Sequence, residues 1–273
     1  MNPTETWREI AADHSGEIVL AADFDVAGRP EARFADLAPL LAPRHTVWVT
    51  DPWAVADAPG DRADSYVKRW VDEVDASGRP VRAVLGFCGG AVYAAAIADE
   101  LERRHGRSPR ILLFDPERPT ALGMYFQFCK ALDQLAPALG PAEIGRAQEA
   151  AQYEQVLAAD LTDYATALLR IFLERGREAF DRLDLSEAHR AEFTGAVRIF
   201  LAFMAAAEQV DHGPAWRRAT AISSSTPTSG LNGHRLLNPG QAAGLVGTEV
   251  RCQVPHVDLL RSATTADLVS GLL

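Results

Sequence analysis

Three residues far apart in this sequence carry the side chains of a nucleophile, an acid and a base. Cys88 stands in 84-VLGFCGGAVYAAA-96, in the frame Gly-x-Cys-x-Gly. A thiol there does one of two things: it attacks a carbonyl carbon, or it fills a tight turn as a small, inert residue. A sharp strand-to-helix turn favours the first reading. It needs small neighbours, it lifts the side chain to the carboxyl edge of a sheet, and it aims the next backbone N–H, that of Gly89, at an incoming carbonyl oxygen. A helix starting at that point adds positive potential, which favours thiolate. The expectation is a thiol poised to react. A phosphate-binding loop would use similar glycines, so the motif alone leaves that reading open.

The chain order supplies partners. Asp115 ends the next apolar run, in 111-ILLFDPERP-119. Adjacent parallel strands end at one edge, so Asp115 arrives beside Cys88; otherwise it is a turn residue before Pro116. His256 follows the last strand-like run, in 248-TEVRCQVPHVDLLRSA-263. Nucleophile, acid and histidine in this order make a triad, in which the histidine takes the thiol proton and the acid orients it. His14, His45 and His105 lie before or between early elements, and His189 lies in a helical run. His212 and His234 are in loops and stay open.

The elements that must position these residues alternate in type. Residues 17–24, 46–50, 81–87 and 110–114 read as strands. Residues 32–41, 63–76 and 89–104 read as helices, with Tyr66, Trp70 and Val74 on one face. This order predicts a mostly parallel, twisted sheet flanked by helices. From 120 to 209 the strand signal stops, and helices are expected over 120–135, 143–160, 161–180 and 186–209. Strands return at 219–223 and 248–254, with a final helix over 264–273. The run 224–244, rich in Ser, Thr, Gly, Pro and Asn, reads as loop. The expected organisation is a core of 1–118 and 212–273 with a helical lid insertion of 119–211; a separate helical domain is the alternative.

Bulk properties bound the function. The 273 residues carry 37 acids against 27 Lys and Arg, a formal charge of -10. That balance argues against general nucleic-acid binding, and the basic run 103-RRHGRSPR-110 reads first as a helix end favoured by the dipole. No run of apolar residues suits a membrane span, and 1-MNPTETWREIAADHSGE-17 has no signal-peptide character. Cys88, Cys129 and Cys252 have neither metal nor disulfide spacing. The expectation is a cytoplasmic protein with no metal, no membrane partner and no nucleic-acid partner.

The segment 83-AVLGFCGGAVYAAAIADELERRHGRSPRILLFDPERP-119 resembles the core of the thioesterase family of non-ribosomal peptide and polyketide synthesis. The tail 254-VPHVDLLRSATTADLVSGLL-273 is similar to that family's terminal histidine and last helix. The segment 17–52 resembles its first strand, oxyanion loop, helix and second strand. The resemblance implies an α/β-hydrolase fold with a lid, acting on acyl groups held as phosphopantetheine thioesters on an acyl- or peptidyl-carrier protein, with no bound cofactor. It makes Cys88, Asp115 and His256 the triad. It puts the oxyanion hole at Gly89 with an N–H of Val26 or Ala27. Apart from the resemblance, Tyr125 and Phe128 of the helical block, with Phe87, are candidate substrate contacts, although aromatic residues at helical spacing more often pack against the sheet.

The chain departs from the family at Cys88, where serine is usual. An acyl-Cys remains an activated thioester, so transfer, aminolysis or cyclisation is expected to be favoured over hydrolysis. It departs again at Ala22-Asp23-Phe24-Asp25, which replaces the family's aromatic and proline lead-in. Two acids beside an oxyanion site either point away or mark a changed role for the loop. A dienelactone-hydrolase-like cysteine enzyme and a non-catalytic hydrolase-fold protein that docks a carrier or synthetase are the alternatives.

Overall fold

The structure is a computed structural model that describes residues 5–14, 16–25, 29–239 and 244–273. Its chain forms two compact units. One comprises Met1–Val55, Ala63–Arg118 and Val210–Leu273; the other comprises Ala56–Arg62 and Pro119–Gln209.

The first unit is built on a seven-stranded sheet: β1 (Trp7–Ala11), β2 (Ile18–Ala22), β3 (Thr46–Thr50), β4 (Val81–Phe87), β5 (Arg110–Phe114), β6 (Thr220–Ser223) and β7 (Thr248–Arg251). The spatial order is β1-β3-β2-β4-β5-β6-β7. Only β1 runs antiparallel, against β3; the described pairs of the remaining strands are parallel. Strands β2 and β3 are buried along their whole length. They read as continuous apolar or β-branched runs, as a sheet covered on both faces requires.

One face of the sheet packs with α1 (Phe34–Leu37), a 3-10 turn at Ala38–Leu40, a 3-10 turn at His256–Arg261 and α11 (Ala263–Leu272). Val19, Ala21, Val47, Val49, Ala83, Leu85 and Phe87 alternate onto it. Helix α2 (Pro52–Val55) follows β3, and α3 (Ala63–Ser77) packs beside α4 (Gly90–His105), which lies on β2, β4 and β5. The expected α3 face is buried, and Tyr66 and Trp70 join Trp7 and Tyr93 in an aromatic cluster with centroids 5.5–6.3 Å apart. The basic end of α4 is committed to ion pairs, with Arg104 bridging Asp72, Asp75 and Glu100.

The second unit holds α5 (Ala121–Asp133), α6 (Pro141–Leu157), α7 (Leu161–Arg182) and α8 (Glu187–Ala207). Thr120, Asp160 and Ser186 cap three of these helices through their side chains. Met124, Phe128, Leu132, Tyr164, Leu168, Phe172 and Leu201 share one core.

Three expectations are corrected. The N-terminal segment, for which no strand was expected before residue 17, contains β1, an edge strand with exposed Arg8 and Glu9. The helix expected over 32–41 shrinks to α1 and its 3-10 turn, because Pro39 cannot extend the hydrogen-bonded spiral. The run 224–244, read as loop, contains α10 (Gly230–Leu237). The short α9 (Gly213–Trp216) precedes β6.

Helix α4 approaches β2 closely. A Cβ at Gly90 would sit 2.2 Å from the Ala22 carbonyl oxygen and 2.8 Å from its carbon, both backbone atoms that cannot swing aside. Gly90→Ala is expected to cost about 3 kcal/mol, the upper part of the range for overpacking, read as a lower urea midpoint at unchanged slope.

Candidate active site

The strand ends of β4 and β5 set the site. After Phe87 the chain turns into the left-handed region at Cys88, with φ 51°, and α4 begins two residues later. After Phe114 it turns the same way at Asp115, with φ 42°. Phe87 and Phe114 are ladder partners, so the two turns lie side by side. Backbone bonds tie each to the next strand: Cys88 N–H donates to Phe114 O at 2.9 Å, and Asp115 N–H donates to Ile222 O at 3.0 Å. Non-glycine residues in this region carry strain and recur at functional sites.

Asp115 is fully buried. Its Oδ2 lies 2.7 Å from His256 Nδ1, and its Oδ1 accepts the Ser224 N–H at 2.8 Å. Gly230 is pressed against it with φ +55°; a Cβ there would lie 2.7 Å from Asp115 Cα. The histidine is held at three points. Its backbone N–H donates to Thr226 Oγ1 at 2.8 Å, its Nδ1 meets Asp115, and its ring stacks on Phe87 at 4.9 Å with a 16° interplanar angle. Helix α10 supports this arrangement, since Asn232 donates to Ser224 O and Thr226 O.

Phe87, offered as a substrate contact, is buried between groups of this unit. His256 stacks on it, and the Arg29 guanidinium lies 5.5 Å from its centroid. Of the other two offered contacts, Phe128 is buried in the core of the helical unit, and the Tyr125 hydroxyl accepts from Gln152 at 2.9 Å. His212 packs on Trp216 at 4.3 Å, and burial lowers its pKa.

The two acids after β2 are both neutralised. Arg29 grips Asp23 through two nitrogens, at 2.6 and 2.7 Å, and Asp25 pairs with Arg8 and Arg33. Burial pushes the Asp23 carboxyl up against the pull of Arg29. Val26 and Ala27, the expected second oxyanion donors, lie outside the described residues.

The thiol departs from expectation. Among the described residues the sulfur makes no hydrogen bond to the imidazole. It donates instead to Glu117 Oε2 at 3.6 Å. Burial, followed by the Glu117 charge and then that of Asp23, pushes the Cys88 thiol well above the ordinary range, although the Gly89 N–H pulls it down. The expected thiolate, favoured by a helix start, is therefore corrected. Desolvation and a facing carboxylate outweigh the helix end. Glu117 is the residue that the sequence reading missed. Its only signal was an acid two places beyond Asp115 on the same turn, in Asp115-Pro116-Glu117.

No protein-family model matches this sequence, and no curated protein matches it. Solved structures do share its shape. The thioesterase domain of Vlm2, with genetically encoded 2,3-diaminopropionic acid and a bound dodecadepsipeptide, aligns over 98% of both chains at 16% identity and TM-score 0.52. The enol-lactonase of Burkholderia xenovorans LB400 aligns over 97% of this chain and 94% of its own at 14% identity and TM-score 0.52. This is an α/β-hydrolase fold. A four-domain nonribosomal peptide synthetase bound to AMP and glycine aligns over 98% of this chain at 15% identity and TM-score 0.55, and this chain spans 20% of its length. At these identities the likeness is one of fold. In the α/β-hydrolase frame Cys88 occupies the strand-to-helix elbow, Asp115 ends the next strand, and His256 follows the last strand. Among the described residues no three His, Cys, Asp or Glu side chains gather as a metal site, and no helix is long and apolar enough to cross a membrane.

Proposed function

We propose that this chain is a thioesterase-like acyl transferase or hydrolase. It takes acyl groups from phosphopantetheine thioesters on an acyl- or peptidyl-carrier protein in natural-product biosynthesis, through an acyl-Cys88 intermediate. The observation that carries the reading is the elbow: a thiol at φ 51° beside a buried Asp115–His256 pair at one sheet edge.

The chemistry follows from the side chains. His256 Nδ1–H donates to Asp115 Oδ2, which leaves Nε2 free of its proton and able to take one from sulfur. The sulfur bonds to the acyl carbon, the oxygen charge falls on the Gly89 N–H, and the bond to pantetheine sulfur breaks. The leaving thiolate recovers the proton from the imidazolium. The product is an acyl-Cys88 thioester plus free pantetheine thiol. This step exchanges one thioester for another, so the acyl group stays activated for an amine, a hydroxyl or a second carrier.

The test is intact mass after incubation with acyl-thioester mimics of the carrier arm. Wild type is expected to gain the acyl mass, mapped to Cys88. A chain that gains no mass across a panel of acyl groups, or gains it at another residue, ends the proposal.

One observation favours a second reading, in which the fold docks a carrier or synthetase without turnover. The thiol is bonded to a carboxylate and not to the imidazole. Carrier binding without acyl transfer would support that reading.

A further inference from the structure

The contact between Cys88 and Glu117 is built from both sides. Glu117 N–H donates to Cys88 O at 3.2 Å, which fixes the two backbones together. Glu117 Oε1 accepts the Gly230 N–H at 2.7 Å, which fixes the carboxylate head. The remaining oxygen, Oε2, receives the thiol at 3.6 Å. The backbone is tied at one point and the carboxylate at two, so the head has little freedom to leave.

Thiols release their proton about four pH units above carboxylic acids in water. A proton shared between sulfur and carboxylate therefore rests on sulfur. Glu117 is not a base for this thiol. It is an acceptor that holds the S–H on its own oxygen, and among the described residues the sulfur makes no hydrogen bond to the imidazole.

We propose that Glu117 is a latch on the nucleophile: it holds Cys88 as a neutral thiol in the free protein, and the contact must break before His256 can take the proton. The proposal rests on Cys88 being the nucleophile. The groups that face the sulfur are Glu117 from the turn after β5, the Gly89 N–H at the start of α4, and, through charge, Asp23 after β2 with its partner Arg29. His256 approaches from the turn after β7 and is bonded to Asp115. Opening the latch separates the thiol from Glu117 without making or breaking a covalent bond.

The latch also defines what opens it. A ligand group that pairs with the Glu117 carboxylate, or an acyl chain that displaces it, exposes the thiol. A free thiol-reactive molecule lacking such a group meets a protonated sulfur. The resting protein is thereby protected from alkylation and oxidation, which follow thiolate character.

The experiment is the pH profile of iodoacetamide labelling, read residue by residue by peptide mass spectrometry, in the full chain. Wild-type Cys88 is expected to label slowly, with its inflection above the free-thiol value of about 8.5. Glu117→Gln removes the charge but keeps an oxygen for the Gly230 N–H. It is expected to move the inflection down by about one unit, which raises the Cys88 rate at pH 7.5 about tenfold. Cys252, buried at 5% exposure in the same unit, is the internal control and is expected to stay unlabelled. An unchanged Cys88 profile in Glu117→Gln overturns the latch. So does a parallel rise at Cys252, which would show that Glu117 holds the turn and not the thiol. No acyl substrate enters this measurement. A chain that never takes an acyl group yet shows the shift loses the proposed function and keeps only the hold of Glu117 on the thiol; one that is acylated without the shift loses the latch alone.

Discussion

Cys88→Ala is expected to lose all mass gain from acyl-thioester mimics, and any turnover of a thioester substrate is expected to fall by at least about 10⁴-fold, the residue being what positioning and an oxyanion donor supply alone. The reason is covalent. Alanine offers no atom to carry the acyl group, and water at that point has neither the sulfur's nucleophilicity nor its place against the carbonyl. The fold should survive. Cysteine and alanine both have a Cβ, so the cost of φ 51° is the same in each. The deleted atom is a single sulfur on a half-buried residue, and Glu117 keeps its bond from Gly230. A melting temperature close to wild type, with acylation gone, is the expected pair of results. Acylation that persists in Cys88→Ala, for example at Cys129, would place the chemistry elsewhere.

Asp115→Asn is expected to slow acylation of Cys88 by about 10³–10⁴-fold with a small change in stability. Asp115 has two tasks. Oδ1 satisfies a buried Ser224 N–H, and Oδ2 receives the proton of His256 Nδ1. An asparagine oxygen still serves Ser224. Its NH₂ then faces Nδ1, which must accept, and the ring proton moves to Nε2. The nitrogen meant to take the thiol proton then already holds one. Single-turnover acylation separates this loss from any change in product release. Asp115→Ala is the structural contrast: it leaves the Ser224 N–H buried and unpaired, at about 1–3 kcal/mol, and is expected to lower the denaturation midpoint as well as the rate. Near wild-type acylation in Asp115→Asn would mean that this pair does not orient the base.

The strand-and-helix order of the sheet unit was legible because its period is strong. The runs 46–50, 81–87 and 110–114 coincide with β3, β4 and β5, since buried parallel strands are mostly apolar or β-branched, with Arg82 and Arg110 only at their less buried starts. Strand β1 was not legible. Trp7 is buried while Arg8 and Glu9 face solvent, so the segment reads as polar until the edge of β3 is there to pair with it. Helix α10 hid for the opposite reason. Its eight residues sit among turn formers, and Leu236 and Leu237 are exposed, so no apolar face announces it. Asp115 and His256 were found from chain order and strand ends, which are properties of topology. Glu117 was not, because an acid after a proline is ordinary turn chemistry, and only coordinates reveal that it turns back onto the sulfur. The protonation of Cys88 failed to read for the same cause: a helix start is visible in a sequence, whereas desolvation and a facing charge are not.

The separations along the chain have a temporal meaning. Cys88 and Glu117 are 29 residues apart and are brought side by side by the pairing of β4 and β5, with Gly230, which fixes the Glu117 head, following after β6; Asp115 and His256 are 141 apart and meet only when β6 and β7 have joined. Shorter loops close at lower entropic cost. A chain emerging from the ribosome therefore owns the Cys88 thiol and the Glu117 carboxylate well before it owns the imidazole of His256. On the proposed reading, the nucleophile meets the neighbour that quiets it before it meets its base.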